Sequence, residues 1–510
     1  MTRVRRLFAG ISASYASFIV TSACSLVAVP LYLHFLGKEE YGLWLTILAV
    51  LMPLSLMGIG FPTVSQNMLA EARAAGQWEE INRVASTSFI FLSAAALVAC
   101  LLMLLGLWLG VVQRLLKASP DLHGTIAPAL MIALAGFVFT QPFQVFRLAF
   151  RAFERVDLEQ YGLAALGLAN LLLTILVLWA GGGIVGVAAV YTLLQLAGGT
   201  LFFAAAIRKF PGLHFSTHYF SLRLARRMLP PGFHFFVVSV SGVMMWGIDN
   251  LVISSVMGVV FVTAFAIASR LTTLLRGVIS MPFSTSRPTM TALNAEGKEQ
   301  SLRRLFYLST KMALFAAVLF SVELVFFGRD FIALWAGRSV VVDRATFLVL
   351  VGILAVNVLE QPAYAFIIAT TRHRVFSWLS ILEGAANLAL SLWWVHKWGV
   401  LGVALGTLVP HALISGTYMV IAGAKMNGFS FSELWKKNAV SLVFPAVATV
   451  AAAWFLQGFA ATWLQWGTSA GLTLLVFVLT CWAVSTTPEE RGILAGVFRP
   501  AYARLAAGLR

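Results

Sequence analysis

Gly399-Val400-Leu401-Gly402-Val403-Ala404 is the second occurrence of a motif that first appears as Gly183-Ile184-Val185-Gly186-Val187-Ala188, 216 residues earlier (402 − 186). Two further motifs recur in the same order: Gln141-Pro142 as Gln361-Pro362 (361 − 141 = 220) and Gly167-x-Ala169-Asn170 as Gly384-x-Ala386-Asn387 (387 − 170 = 217). Ordered repetition inside apolar sequence is typical of membrane proteins built from two copies of a helical unit. This architecture belongs mainly to transporters.

The composition is that of a membrane protein. Of the 510 residues, 60% are hydrophobic and only 11% are charged, which leaves too little polar surface to cover a soluble globule of this size. A bilayer core about 30 Å thick requires roughly 20 apolar residues for each helical span. The sequence predicts fourteen spans, near residues 9–33, 42–65, 84–108, 126–149, 160–181, 185–206, 233–256, 260–283, 306–327, 345–369, 376–396, 400–423, 438–458 and 464–485.

The distribution of positive charge predicts the orientation of these spans. Of the 36 Lys and Arg residues, Arg270 and Arg276 lie deep within a span, away from its inner end. With a cytoplasmic amino terminus, seven others face outside and the remaining 27 (36 − 2 − 7) face inside. This asymmetry follows the positive-inside rule and predicts that both termini are cytoplasmic. The net charge of +16 is thereby explained without a nucleic-acid partner.

The repeat and the charges together predict the domain organisation. We expect an all-α polytopic protein with two six-helix lobes in tandem, at 1–207 and 232–427, joined by a basic cytoplasmic connector at 208–231. The remainder, 428–510, supplies two additional membrane helices and a cytoplasmic tail. The predicted outside loops are short. They cannot hold the extracytoplasmic domain of a polymerase or a lipid-dependent glycosyltransferase.

Four short segments are distinctive: Leu36-Gly37-Lys38-Glu39-Glu40-Tyr41-Gly42-Leu43-Trp44, Gly58-Ile59-Gly60, Asn67-Met68-Leu69-Ala70-Glu71 and, after the predicted ninth span, Leu334-Trp335-Ala336-Gly337. In these segments the chain resembles, over its first twelve predicted helices, the Wzx-type oligosaccharide flippases, members of the multidrug, oligosaccharidyl-lipid and polysaccharide exporter superfamily. This resemblance implies a MATE-like fold that alternates between inward-open and outward-open states in a bacterial inner (cell) membrane. Many members of the family have twelve helices, so the role of the terminal pair stays open.

The resemblance also implies a substrate and partners. The substrate would be a polyprenyl-diphosphate-linked oligosaccharide, turned from the cytoplasmic to the outer face of the membrane for surface polysaccharide biosynthesis. Partners would be membrane lipids, a polysaccharide polymerase and a chain-length regulator. Three alternatives stay open: an ion-coupled multidrug exporter or a lipid II flippase of the same superfamily, and a membrane scaffold that transports nothing.

Two arginines at membrane depth are the candidate substrate ligands. The sequence contains no recognisable nucleophile and base set, catalytic carboxylate pair or nucleotide-binding motif, so we predict that the protein is not an enzyme. A cation within a span costs about 2.5–3.5 kcal/mol on insertion scales, so Arg270 and Arg276 should face a wet cavity or a partner. Their guanidinium groups suit a diphosphate. The alternatives are an ion pair with Asp249 or Glu323, or, for Arg276, snorkelling toward the interface.

The carboxylates within predicted spans are candidates for ion coupling, by binding Na⁺ or carrying H⁺; no other cofactor is expected. They are Asp249, Glu323, Glu360 and Glu383. The first copy of the repeat has Thr140 and Leu166 where the second has Glu360 and Glu383, and this asymmetry favours a functional role.

Several neutral polar groups also lie in the predicted spans. Asn170 and Asn387 are predicted to form hydrogen bonds between helices. Gln141 and Gln361 are further candidates for helix contacts or a polar cavity. For His411, packing in the core is favoured over a proton relay.

Overall fold

The computed structural model describes residues 3–58, 60–370, 374–488 and 490–491, and every regular element within these ranges is helical. The α-helices in chain order are α1 (Arg3–Leu51), α2 (Phe61–Ala74), α3 (Trp78–Trp108), α4 (Val111–Leu115), α5 (His123–Ala152), α6 (Val156–Trp179), α7 (Gly183–Lys209), α8 (Leu222–Trp246), α9 (Asp249–Met257), α10 (Val259–Ala295), α11 (Glu299–Glu323), α12 (Arg329–Ala336), α13 (Arg344–Ala369), α14 (Arg374–Trp398), α15 (Val400–Pro410), α16 (Thr417–Met426), α17 (Phe431–Leu456) and α18 (Trp463–Thr480). Three π-helical segments accompany them, at Leu324–Gly328, His411–Gly416 and Cys481–Ser485. The predicted all-α class is confirmed.

The number of membrane spans depends on how the broken helices are counted. Among the described residues, twelve helices are long and apolar enough to cross a membrane. The count rises to thirteen if Leu222–Phe233 and Phe235–Trp246, which meet at 47°, form one span. The first candidate, Ala9–Gly58, contains the first predicted span, 9–33, and most of the second, 42–65, and is interrupted at Gly37 (φ 71°, ψ −175°). Fourteen spans with both ends inside stay a prediction.

The predicted seventh span, 233–256, is not one continuous helix. In the structure α8 ends at Trp246 and α9 begins at Asp249, with Gly247 and Ile248 between them. The Gly247 amide still donates to the Val243 carbonyl, while the amides of Leu251 and Val252 already donate to Ile248. The break therefore places an acidic side chain at the positive end of a new helix.

Contacts between Cα atoms divide the chain into two compact units. The first comprises Met1–Ser269 with Ser377–Pro410, and the second comprises Arg270–Phe376 with His411–Arg510. These units describe which helices pack together, and the predicted lobe limits stay predictions about the repeat.

In the first unit the repeated Gly-x-x-Gly motif has a clear structural role. A Cβ atom at Gly402 of α15 would collide with the Trp394 carbonyl of α14, and a side chain at Gly406 would collide with Ser391. In the first copy, a Cβ at Gly186 of α7 would collide with the Val177 side chain of α6. The glycines therefore let both helical hairpins close tightly, as small residues do between membrane helices.

In the second unit the two terminal helices pack against α11. Leu314 of α11 lies in an apolar cluster with Leu442 of α17 and Phe477 of α18. The Trp466 indole of α18 donates a 3.1 Å hydrogen bond to the Phe327 carbonyl, which belongs to the π-helical segment that follows α11. The predicted appendage is thus firmly docked.

Candidate functional site

A polar cluster in the first unit joins three helices, and we call its members Asp249, Asn387 and Thr407 the Asp249 cluster. Glu383 lies one turn before Asn387 on the same helix. The Asn387 amide nitrogen donates to the Thr407 hydroxyl at 3.0 Å. That hydroxyl lies 3.2 and 3.4 Å from the two Asp249 carboxylate oxygens. Glu383, Asn387 and Thr407 are each at most 2% exposed.

The local sequence explains why these side chains meet. Asp249 is the first residue of α9, immediately after the break in the predicted span. Glu383 and Asn387 are four residues apart on α14, so they project from one face of that helix. Thr407 reaches Asn387 because α14 and α15 approach closely at Gly402 and Gly406.

The chemistry of the Asp249 cluster suits a hard monovalent cation. The Thr407 hydroxyl has one proton, yet it faces both Asp249 and the Val403 carbonyl, 3.3 Å away, so one of these oxygens is left without that donor. The Asn387 side-chain oxygen is buried and accepts no hydrogen bond within the described part of the chain. Carboxylate, amide, hydroxyl and carbonyl oxygens are the ligands that hard cations prefer. No group of three His, Cys, Asp or Glu side chains that would hold a metal ion occurs among the described residues.

A second polar cluster lies in the second unit. The His411 Nε2 atom is 3.8 Å from a Glu360 carboxylate oxygen, and their side chains are 2% and 13% exposed. Arg276 of α10 interacts electrostatically with the same carboxylate. His411 opens a π-helical segment directly after Pro410, and π-helical turns are frequent at functional sites. His411 is buried, and a carboxylate lies beside it.

The other predicted ionisable residues are spread along the second unit. Arg270 is exposed on α10, eleven residues from its start, or ~16 Å along the helix. Glu323 ends α11 just before a π-helical segment, and one of its oxygens is buried without a hydrogen bond among the described residues. Glu360 and Arg276 are brought together, whereas no contact joins Glu323 to either of them within the described ranges.

The structure adds a residue that the sequence analysis did not single out. The Arg287 guanidinium lies 5.0 Å from the ring centroid of Tyr364, in a cation–π arrangement. Arg287 is eleven residues, or about three turns, beyond Arg276 on α10 and therefore shares its face. That spacing was available in the sequence, but Arg287 was counted only among the inside-facing charges.

The two copies of the repeat differ at the Asp249 cluster. Asn387 is buried and its amide donates to Thr407 on the next helix, whereas its counterpart Asn170 is exposed on α6 with no side-chain hydrogen bond among the described residues. The two copies of the Gly-x-x-Gly motif are 216 residues apart, so the counterpart of Thr407 in the first copy is Tyr191 (407 − 216). Together with Leu166 in place of Glu383, these differences confine the cluster to the second copy.

The paired glutamines of the repeat also differ. Gln141 accepts a 2.7 Å hydrogen bond from Gln144 on its own helix, α5. Gln361 is partly buried on α13, next to Glu360. Neither placement tests the role that the sequence predicted for them.

The fold is shared with membrane transporters of known structure. A lipid II flippase, MurJ, in an inward-closed conformation superposes with a TM-score of 0.71 and 14% identity, covering 96% of this chain and 98% of that one. An inward-facing multidrug resistance MATE family transporter of the MOP superfamily superposes with a TM-score of 0.65 and 17% identity, covering 86% of this chain and 99% of that one. A third structure is that of a MOP superfamily transporter from Pyrococcus furiosus, which is described by the reverse polarity of its binding pocket. It superposes with a TM-score of 0.60 and 15% identity, covering 82% of this chain and 95% of that one. The chain thus has the MATE-like fold that the sequence predicted.

The family follows from the sequence comparison. The model of the polysaccharide biosynthesis protein family matches residues 7–294, which is more than half of the chain. The chain belongs to this family, and the resemblance to the Wzx-type flippases is thereby confirmed. A search of the curated proteins finds no match. The protein is a multi-pass membrane protein of the polysaccharide biosynthesis protein family, with a fold that it shares with a lipid II flippase and with transporters of the MOP superfamily.

Proposed function

We propose that this protein translocates a polyprenyl-diphosphate-linked oligosaccharide from the cytoplasmic to the outer face of the inner membrane by alternating access. The family is named for polysaccharide biosynthesis, in which glycans built on a lipid carrier must cross the membrane. A flippase fold and a membrane-embedded cation suited to a diphosphate support this substrate class.

The observation that carries the proposal is the exposure of Arg270 inside an apolar helix. It lies ~16 Å from the start of α10, which is about half of a 30 Å hydrocarbon core. An arginine at that depth is unfavourable against lipid, so an exposed one should line a water-filled path. A guanidinium fork there offers paired donors to phosphate oxygens.

Arg276 and Arg287 extend this basic character along α10. Arg276 is partly buried and interacts with Glu360, so its charge is already partly compensated. Arg287 lies over the Tyr364 ring. We assign primary recognition of the diphosphate to Arg270 and a supporting role to Arg276.

We further propose that the Asp249 cluster couples translocation to Na⁺. Three helices contribute oxygen atoms to it, and the buried Asn387 oxygen has no hydrogen bond among the described residues. Asp249 would supply the charge, and Thr407 and Asn387 would supply neutral ligands. H⁺ is the other candidate ion, and the distance of 3.8 Å between His411 and Glu360 supports this pair as its carrier.

Two other functions within the superfamily make different demands on the site. A multidrug exporter for cationic compounds would favour acids and aromatic rings along its path without arginine. A lipid II flippase would also bind a diphosphate, so arginine does not separate it from an oligosaccharide flippase. The experiment therefore has to vary the glycan on a constant polyprenyl diphosphate.

The test is translocation in vesicles that contain the purified full-length protein. Fluorescent polyprenyl-diphosphate oligosaccharide, lipid II and a cationic dye are compared side by side. We expect transport of the oligosaccharide lipid to exceed that of lipid II, with no transport of the dye. Preferential transport of lipid II or of the dye would refute the assignment.

A further inference from the structure

A long groove on the first unit lies between α6 and α7, with one wall from α5. We call it the α6–α7 groove; its volume is about 580 Å³, and Arg208 and Lys209 lie in its lining. The remaining lining residues are all apolar, and they include Gly162, Ala165 and Ala205. The groove exists because these residues have little or no side chain to fill it. Its volume is within the range of about 300–1,000 Å³ found for ligand pockets.

The α6–α7 groove has the length of one membrane leaflet. Its lining runs from Leu158 to Ala169 on α6, eleven residues or ~16 Å, and from Leu201 to Lys209 on α7. A turn of three residues joins the two helices, so they run antiparallel and the groove follows the half farthest from that turn. Half of a hydrocarbon core about 30 Å thick is about 15 Å.

The outer face of α6 is suited to lipid. Leu168, Leu172 and Leu176 are all exposed on it, at 46%, 65% and 58%. Only 11% of the most apolar stretch of this helix is buried inside the protein, so most of its residues lie at the surface. The groove therefore opens on a surface that contacts hydrocarbon.

The positive charge at the end of the groove is uncompensated by protein. Arg208 and Lys209 are exposed in the last turn of α7, and no carboxylate in the described part of the chain forms an ion pair with either. The acids in the first turn of α6 already have partners. Arg151 contacts Glu159 at 2.6 Å, and Arg155 contacts Asp157 at 3.0 Å.

We infer that the α6–α7 groove binds an anionic phospholipid of the membrane, with one acyl chain along the groove and the phosphate at Arg208 and Lys209. The charge complementarity, the apolar lining and the length of one leaflet support this occupant. Basic pockets between membrane helices on the cytoplasmic side bind anionic lipid head groups in this way. The positive-inside rule assigns this end of α7 to the cytoplasmic leaflet, where anionic lipids are attracted to juxtamembrane cations.

The test measures lipid retention by the purified full-length protein with native mass spectrometry, using phosphatidylglycerol and phosphatidylcholine as probes. Wild type should retain phosphatidylglycerol in preference. Arg208→Gln with Lys209→Gln should lower the apparent affinity for phosphatidylglycerol about 30-fold, since each of the two cations near the surface contributes roughly a five- to sixfold change in affinity. Ala205→Phe fills the groove and should abolish retention while the cations remain.

Two matched controls separate this site from general effects. Arg226→Gln with Arg227→Gln removes two exposed cations on α8 that do not line the groove, and Ala204→Phe places the same ring one residue away on α7. Both controls should retain phosphatidylglycerol as wild type does. Equal retention of the two lipids by wild type, or equal losses in the controls, would overturn the inference.

Two other occupants would give distinct results that also overturn it. If polyprenyl phosphate displaces phosphatidylglycerol completely at equal concentration, the groove belongs to the carrier lipid. If Ala205→Phe, but not Ala204→Phe, changes the oligomeric state, a second copy of the chain covers the groove.

Discussion

Replacing Thr407 with valine removes the hydroxyl that links Asn387 to Asp249 and leaves the shape of the side chain almost unchanged. The variant loses a 3.0 Å bond from Asn387 and the contacts of 3.2 and 3.4 Å to Asp249. Hydrogen bonds between membrane helices contribute about 0.6 kcal/mol on average and up to about 1.7 kcal/mol, so two bonds amount to roughly 1–3 kcal/mol. We expect Thr407→Val to lower the stability of the Na⁺-free protein by that amount.

The response to Na⁺ separates an ion site from a structural bridge. An ion that binds only the folded protein stabilises it by about 2.7 kcal/mol at a concentration 100 times its dissociation constant. Wild type should therefore unfold at a higher temperature in NaCl than in KCl at equal ionic strength. Thr407→Val should lose this difference, because the cluster loses a ligand and the orientation of two others.

Thr46→Val is the matched control for this experiment. Thr46 is fully buried, and its hydroxyl donates to the Gly42 carbonyl one turn earlier on α1. This variant should keep the full difference between NaCl and KCl. An undiminished Na⁺ effect in Thr407→Val, or no Na⁺ effect in wild type, would refute the reasoning.

Five further outcomes are expected. Arg270→Ala should lower translocation of the lipid-linked oligosaccharide about 10- to 100-fold, while Arg270→Lys keeps part of it because the charge persists without the fork; normal glycan export by a well-expressed Arg270→Ala variant would rule out its role. Glu360→Gln should abolish any response of transport to an imposed pH gradient without preventing substrate binding, and an unchanged response would make the pair with His411 structural. Lys311 donates to Glu490 at 2.7 and 2.9 Å, with side chains only 10% and 15% exposed, so Lys311→Met should destabilise the protein by about 3–5 kcal/mol and the double variant with Glu490→Met by much less. Burial raises the pKa of the Glu490 carboxyl, but the hydrogen bonds from Lys311 and Thr487 together with the Lys311 charge outweigh it and hold the pKa below the ordinary 4.5; this contribution to stability should be constant from pH 8 to pH 5 and be lost only as the pH falls below 4.5 and through the lowered pKa, which unfolding temperatures measured from pH 8 into that acidic range would check. A reporter fused after Lys209 should lie in the cytoplasm, and an external signal there would contradict the topology.

Much of the fold could be predicted because the membrane imposes simple rules. Every span must be a helix of about 20 apolar residues, and the hydropathy of the chain reveals such segments directly. Gly402 and Gly406 also mark the sites where α15 approaches α14 closely. The break between Trp246 and Asp249 was missed because both flanking segments are apolar, and hydropathy does not register a short interruption.

The candidate site was predictable only where its members share a helix. The spacing of Glu383 and Asn387 placed them on one face, and both are buried in the structure. Thr407 carries no charge and lies twenty residues from Asn387 and 158 residues from Asp249, so nothing in the sequence linked it to either residue. His411 and Glu360 meet through the packing of separate helices, which neither periodicity nor hydropathy encodes.

The most direct test of ion-coupled flipping is the final distribution of fluorescent polyprenyl-diphosphate oligosaccharide between the two leaflets of vesicles that contain the purified protein. Under an imposed Na⁺ gradient, with pH and membrane potential clamped, wild type should move the lipid beyond equal distribution. Asp249→Asn should reach equal distribution at most, because the carboxylate that holds the ion is gone. If wild type stops at equal distribution under every gradient, or if Asp249→Asn accumulates the lipid as wild type does, the proposed coupling is contradicted.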